Sequence, residues 1–454
     1  AGVSEKAGSF GRRILENLLQ STIQADNIKI IKPNTEEFLG VKSYPDIKRL
    51  ILDPVDILIL TLPAAISVST LVELCEQGGG ADIVYLVAGG IGDSGDTSGL
   101  ANQVKNLLDS RRIQGLWTPR LIGPNSLGIV IAPLKLSTLF IAPKKLPIKF
   151  QDQGNIAFIS QSGAFFITRF SREENLPIKY GFCIGNQIDL KISEFLNVVE
   201  TDKGIKVVAT YIEGFSSGEA LRFATEARKL IANGVHVILY KGGRSAEGMK
   251  AAAGHTGAMA GNYELQKKIL IEAGVTITEN FLEFSSIINF LSAYPQFINA
   301  SQIAVISNAG FETVASADQV GNRMLSLTDS IKMELANVFK KHGLESLVGA
   351  ANPLDLTPMA NESAYLESAE VFLQSSTDAL IFCAVPLTDK LDTDNILKMN
   401  EFAEKLKVIA TKYQKPMLVV VDSGILYNNY RESFKAHGLP TFGSIEEAFL
   451  ALKE

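Results

Sequence analysis

Long hydrophobic runs are missing from this sequence, and no stretch reaches the roughly 18 apolar residues of a membrane span. No signal peptide opens the chain, so a cytoplasmic protein is the expectation. Histidine is scarce, with 4 in 454 residues, none paired at ligand spacing, which argues against a metal centre. The 3 cysteines, Cys75, Cys183 and Cys383, lie far apart without a C-x-x-C, leaving neither a disulfide framework nor a zinc site. There is no basic run and no interleaving of basic and aromatic residues, and the net charge is −6, which removes a nucleic-acid surface from consideration. What remains is ordinary globular material, 46% hydrophobic and 20% charged, long enough for two or three domains.

The chain opens on Gly2-Val-Ser-Glu-Lys-Ala-Gly-Ser-Phe-Gly11, a glycine-bearing turn that runs into an amphipathic helix, Arg12 to Leu19. In a nucleotide-binding βαβ unit a strand precedes such a turn. None is read here, so a short first segment is expected to be missing, although a purely structural turn fits the spaced glycines equally well. Short apolar runs follow at Ile28–Ile31, Asp56–Pro63, Ala81–Gly89 and Leu121–Ile122, alternating with helical stretches at Ala65–Gln77 and Gly99–Ser110. That is the rhythm of a parallel sheet covered by helices. Residues 1–135 therefore read as a Rossmann-like domain whose turns after the strands form the ligand edge. Leu134–Gln153, with Pro143 and Pro147, reads as a linker.

A second domain begins at Asn155-Ile-Ala-Phe-Ile-Ser-Gln-Ser-Gly163, a buried strand ending in Ser160-Gln161-Ser162-Gly163 at the start of a helix. Hydroxyls and N–H groups at a helix N-terminus make an anion site, and a serine-rich helix cap has the same residues. The phrase returns as Gln302-Ile-Ala-Val-Ile-Ser-Asn-Ala-Gly310, in register at Ile, Ala, Ile, Ser and Gly. Later strands recur as well, at Val207–Tyr211 and Val235–Tyr240 in one copy and at Ala379–Ala384 and Met417–Val421 in the other. We read two tandem flavodoxin-like domains, 150–297 and 300–454, in an α/β chain.

The copies differ in chemistry. The first carries Tyr211-Ile-Glu213-Gly and then Lys241-Gly-Gly-Arg-Ser-Ala-Glu-Gly-Met-Lys-Ala-Ala-Ala-Gly-His255-Thr-Gly, a small, glycine-rich loop centred on a histidine. Glycines on both sides of His255 open backbone conformations closed to other residues, and imidazole is a nucleophile towards phosphoryl groups. The alternative is a tight turn with an incidental histidine. The second copy has Asp422-Ser-Gly-Ile in that place, and its Asn352-Pro-Leu-Asp-Leu-Thr357 reads as a structural turn. Loss of the histidine loop would make the third domain a binding or docking module.

Taken in order, Gly123-Pro-Asn-Ser-Leu-Gly128, Ser160-Gln-Ser-Gly163, Gly185-Asn186, Tyr211-Ile-Glu-Gly214, Lys241-Gly-Gly-Arg-Ser245, His255-Thr-Gly-Ala258 and Asn352-Pro-Leu-Asp355 resemble the NDP-forming acyl-CoA synthetases. That family includes the ADP-forming acetyl-CoA and succinyl-CoA synthetases. The likeness covers nearly the whole chain and is greatest to the α subunit of the ADP-forming acetyl-CoA branch. It implies a CoA-binding Rossmann-like domain followed by two flavodoxin-like, succinyl-CoA-synthetase-like domains. The implied ligase reaction turns acyl-CoA, ADP and phosphate into acid, CoA and ATP through an acyl phosphate and a phosphohistidine. No ATP-grasp domain is read in the sequence, so Mg and ADP/ATP belong on a partner: an ATP-grasp β subunit or a missing fused domain. A hetero-oligomer is implied, with no membrane or nucleic-acid partner.

By the same resemblance His255 is the phosphohistidine, and Glu213 is the carboxylate that orients its ring. Ser160, Gln161, Ser162 and Gly163 would bind phosphate. Coenzyme A would lie along Ala7, Gly8, Ser9 and Phe10, then Val87, Ala88 and Gly89, with Pro124, Asn125 and Ser126 near the thioester. Lys32 would meet a CoA phosphate or stand exposed. The chain departs from the family at four places: Ser126, where cysteine is common; Lys32-Pro33-Asn34, where Asn-Pro is usual; Gly254 before the histidine; and Phe311, where a second glycine is frequent. Two other functions fit parts of the chain. A non-catalytic CoA-binding sensor or scaffold would keep the fold without the chemistry. An NAD-dependent dehydrogenase would need a full G-x-G-x-x-G and a ribose-binding acid after the second strand, and lacks both.

Overall fold

The computed structural model describes residues 1–93, 96–173, 175–256 and 262–453, the side chains of 253–256 excepted. The chain divides into two compact units, Ala1–Thr278 and Glu279–Glu454.

The first unit opens with helix α1 (Phe10–Leu19), which turns Ile14 and Leu15 inward and carries the Arg12–Glu16 pair at 2.9 Å on its outer side. Strands β1 (Ile30–Ile31), β2 (Glu37–Phe38) and β3 (Val41–Tyr44) form a small sheet in the order β1-β3-β2. Strands β4 (Val55–Leu60), β5 (Ala81–Leu86) and β6 (Arg120–Ile122) form a parallel sheet in that order. Helices α2 (Ala64–Gln77) and α3 (Leu100–Ile113) pack against each other beside that sheet, burying Val68, Leu71, Leu74, Val104 and Leu108. The single parallel sheet expected over 1–135 is thus present as two small ones. Among the described residues no strand joins β1 to β4. The space between them is an apolar cavity of about 560 Å³, lined by Ile14, Leu15, Ile30, Val55, Ile57 and Ile59 among others.

Residues 129–137 leave that arrangement. Strands β7 (Ile129–Ile131) and β8 (Leu136–Ser137) pair antiparallel and extend the next sheet through β7 against β10 (Ile178–Cys183). The stretch read as a linker therefore contains a strand, because Leu136 and Leu139 find buried places. The seven-stranded sheet runs β13-β12-β11-β9-β10-β7-β8, with β9 at Ile156–Ser160, β11 at Val207–Ile212, β12 at His236–Lys241 and β13 at Thr276–Ile277. Every residue of β9 is buried, as a central parallel strand covered on both faces requires. The helices of this part are α4 (Gly163–Arg172), α5 (Ile192–Glu200), α6 (Glu219–Ala232), α7 (Ala246–Thr256) and α8 (Tyr263–Glu272), of which α4, α5, α6 and α8 pack on its strands. The first part of the glycine-rich stretch is helical rather than a loop: its run Met249-Lys-Ala-Ala-Ala253 favours α7.

The second unit starts with α9 (Phe281–Ala293), which packs on the closing helix α15 (Ile445–Ala451). Its five-stranded parallel sheet has the order β15-β14-β16-β17-β18. The strands are β14 (Ile303–Ser307), β15 (Leu354–Asp355), β16 (Ala379–Cys383), β17 (Met417–Val420) and β18 (Thr441–Phe442). Counted from its own first strand, this order is 2-1-3-4-5, and β9 to β13 repeat it. The repeat read from the sequence is a repeat of topology. Helices α10 (Gly310–Val320), α11 (Asp329–Lys341), α12 (Glu362–Gln374), α13 (Ile396–Tyr413) and α14 (Asn428–Ala436) complete the unit. Asn352 is structural, as read: its amide donates to Ile303 O and Leu325 O and accepts from Val305 N. Phe311, in the first turn of α10, is 59% exposed.

Candidate active site

Strands β9 and β11 end side by side, with Ser160 opposite Tyr211. The turns leaving them are tied together by Gln161: its N–H donates to Tyr211 O at 3.0 Å, and its Oε1 accepts from Glu213 N at 2.8 Å. The Ser160 hydroxyl is fully buried and donates to Ser162 O at 2.7 Å, which shapes the turn from beneath. Ser162 caps α4, its Oγ accepting from Phe165 N at 3.3 Å. The first N–H groups of α4 have no partner within the helix, and they open beside these hydroxyls. Gly163 allows the close approach of Leu127: a Cβ at 163 would stand 3.0 Å from Leu127 Cβ.

The facing wall comes from the ends of β5 and β6. Val87 N donates to Leu60 O at 3.1 Å, and Asn125 N donates to Ala88 O at 2.9 Å, so the two turns are laced together. Gly89 lies next to the Asn125 side chain. Ser126 is buried, with Tyr85 Oη 2.6 Å from its Oγ and the Cys183 carbonyl as acceptor. The Ser126 hydroxyl is therefore well held. The thiol nearby belongs to Cys183, whose Sγ accepts from Leu127 N at 3.2 Å, and burial pushes its pKa up.

The two walls are joined by main chain. Asn186 N donates to Pro124 O at 2.8 Å, Ile188 N to Gly123 O at 3.1 Å and Leu190 N to Leu121 O at 3.1 Å. Between the walls lies a cleft of about 210 Å³. Val87, Asn125 and Ser126 line it from one side, and Gln161, Ser162, Gly163 and Glu213 from the other. Leu127, Phe140, Ala164 and Asn186 complete the lining, none with a role read from the sequence. Leu127 and Asn186 had a signal, as parts of Gly123-Pro-Asn-Ser-Leu-Gly128 and Gly185-Asn186. Phe140, placed in the linker, had none.

The remaining candidates lie around this cleft or apart from it. Ala7, Gly8 and Ser9 form the turn before α1, and the Phe10 ring stacks on Phe140 with centroids 4.1 Å apart. Lys32 Nζ stands 3.7 Å from Glu5 Oε1, beside that first turn. Pro124 is buried behind Asn125. His255 falls within α7, and its side chain lies outside the described residues. Glu213 Oε1 accepts from Tyr211 Oη at 3.3 Å. Burial, and then the Glu213 carboxylate, push the Tyr211 phenol well up. One more charged group reaches the same turn: Lys241, at the end of β12, whose ammonium burial pushes down to about 8 against the pull of Glu213. The larger cavity between β1 and β4 contains none of the candidate residues. Among the described residues no cluster of histidine, cysteine and carboxylate side chains could hold a metal ion, and no helix is long and apolar enough to cross a membrane.

Comparison with known proteins agrees with this architecture. A model of CoA-binding domains matches residues 1–131, and a model of succinyl-CoA ligase-like flavodoxin domains matches residues 153–291. The chain is 28% identical over 457 residues to the α subunit of ADP-forming acetate–CoA ligase II of Pyrococcus furiosus, covering 99% of this chain and 93% of that one. An ADP-forming acetate–CoA ligase of Methanocaldococcus jannaschii is 29% identical over 357 residues, which is 78% of this chain and 47% of the longer relative. In fold the chain is similar to the dinucleotide-forming acetyl-coenzyme A synthetase 1 of Ca. Korarchaeum cryptofilum, with a TM-score of 0.82 at 23% identity, covering 99% and 92% of the two chains. A CoA-binding domain followed by a flavodoxin-like domain of the succinyl-CoA ligase type, in a chain whose full-length relatives are ADP-forming acetate–CoA ligase α subunits, gives the class as acid–thiol ligase. The chain belongs to the NDP-forming acyl-CoA synthetases.

Proposed function

We propose that this chain is the α subunit of an ADP-forming acyl-CoA synthetase, with phosphate and thioester meeting in the 210 Å³ cleft. The observation that carries the reading is that one cleft is lined from both domains: Val87, Asn125 and Ser126 on the CoA side, Gln161, Ser162 and Gly163 on the phosphate side, with Glu213 at its edge. Phosphate held at the N-terminus of α4 attacks the thioester carbonyl, releasing CoA as the thiol and leaving an acyl phosphate. An imidazole nitrogen of His255 then takes the phosphoryl group and frees the carboxylate. ADP on a partner takes it from the histidine, and ATP leaves. Glu213 hydrogen-bonds the far ring nitrogen, which selects the nucleophilic tautomer and favours the charge that develops on the ring.

The partner is an ATP-grasp chain that supplies Mg and the nucleotide site, and both work in the cytoplasm. The Methanocaldococcus jannaschii relative is about twice as long as the segment it shares with this chain, so a nucleotide site on a fused domain serves the reaction as well as one on a separate subunit. CoA runs from Ser126, Asn125 and Pro124 past Val87, Ala88 and Gly89 to the turn Ala7–Phe10, where Lys32 meets a phosphate. The domain divisions 1–135, 150–297 and 300–454 assign CoA, phosphohistidine and docking roles in turn.

The test is release of free thiol from a panel of acyl-CoAs by the chain and an ATP-grasp partner. The reading requires release that depends on phosphate and ADP. Thiol release independent of phosphate, or CoA binding with no turnover on any thioester, would overturn it.

A further inference from the structure

Lys241 is the last residue of β12 and only 4% exposed, yet it carries an ammonium. It lies opposite Ile212 in the parallel pairing of β11 and β12, one residue before Glu213. Its Nζ donates to Glu213 O at 2.8 Å and to Gly242 O at 2.7 Å, while Gly242 N closes the same corner by donating to Ile212 O at 2.8 Å. Glu213 N is held from the opposite side by Gln161 Oε1 at 2.8 Å. The peptide groups on both sides of Glu213 Cα are therefore clamped, one by the phosphate turn and one by Lys241.

An ammonium almost out of water is costly unless it does something a neutral side chain cannot. Two main-chain carbonyls on one ammonium are a modest return for that burial, which pushes its pKa down. The carboxylate of Glu213 lies close enough to favour the charged form. From this arrangement we infer that Lys241 is a positioning residue for Glu213: its ammonium locks the backbone that aims the carboxylate at the imidazole and stands as a positive charge beside it. This inference rests on the role proposed for Glu213.

The experiment is phosphorylation of the full chain by an ATP-grasp partner, ATP and Mg, measured in a single turnover. Lys241→Met should slow labelling about tenfold while leaving the KM for acyl-CoA, read separately in steady-state thiol release, unchanged, and Lys241→Arg should restore labelling to within about threefold of wild type. In a Glu213→Gln background, Lys241→Met should cost less than about twofold, because a residue acting through Glu213 has nothing left to position. A tenfold loss in both backgrounds, or a wild-type rate in Lys241→Met, would overturn the inference. Lys241→Gln, which keeps a donor without charge, replaces the Met variant if that one melts early. Absence of label on the wild-type chain is a different result and counts against the proposed function instead.

Discussion

Gly185 shows how narrowly single residues are constrained where the two walls of the cleft meet. It has φ +56°, and a Cβ there would stand 2.0 Å from Pro124 O, the carbonyl that accepts from Asn186 N. The clash is with main chain, so no side-chain rotation relieves it. Gly185→Ala should cost about 2–4 kcal/mol in urea unfolding and weaken CoA binding together with stability. A variant as stable as wild type would mean that the walls are not joined as described. The sequence showed Gly185-Asn186 only as a shared phrase, because what demands glycine is a carbonyl some sixty residues away in the chain. Glu213 is singled out in the sequence only through the family resemblance of Tyr211-Ile-Glu-Gly214, and the fold brings it to the lining of the cleft. Lys241 fell between, quoted within a motif but unassigned, since its burial and its two carbonyl partners exist only after β11 and β12 have paired.

At the scale of elements, helix α4 links folding to the proposed phosphate site. Its cap is Ser162, and its buried face is Phe165, Phe166 and Phe170, with the Phe166 ring stacked at 5.3 Å on Phe158 of β9. That aromatic packing holds the helix in place, so the cap contributes only about 1 kcal/mol. Ser162→Ala should therefore lower Tm by a few degrees while raising the KM for phosphate at least about tenfold. An unchanged phosphate KM would make Ser162 a cap and nothing more. The buried strands β9, β11, β14 and β16 were readable as continuous apolar runs, because central parallel strands advertise themselves that way. The edge strands were not. β8 has two residues, and its place is set by β7 and not by its own pattern. Helix α7 was misread as loop because the glycines at 248 and 254 outweighed the alanine run between them.

On the scale of the molecule, the repeated 2-1-3-4-5 sheet places a second strand–turn–helix, Ser307 to Gly310, in the unit Glu279–Glu454. There Glu312 is buried, and Ser307 Oγ donates to its Oε2. Burial, opposed by that hydrogen bond and reinforced by Asp422, raises its pKa from 4.5 to about 7. An acid raised in this way keeps its proton in the fold at pH values below about 7. Its contribution is full below 4.5 and is lost as the pH rises through about 7. Relative to Glu312→Gln, which stays neutral, the wild-type chain should lose up to about 3 kcal/mol in this unit between acid and pH values above about 8. Parallel stability curves for the two proteins would contradict that assignment.

The central claim is a phosphorylated histidine, and radioactive phosphate tests it most directly. The chain is mixed with an ATP-grasp partner, Mg, labelled phosphate and an acyl-CoA, and the protein is examined for acid-labile, base-stable label. The account predicts label on the wild-type chain and none on His255→Asn, with CoA binding unchanged between them. Label that persists in His255→Asn, or a wild-type chain that binds CoA and takes no label beside a competent partner, would contradict it.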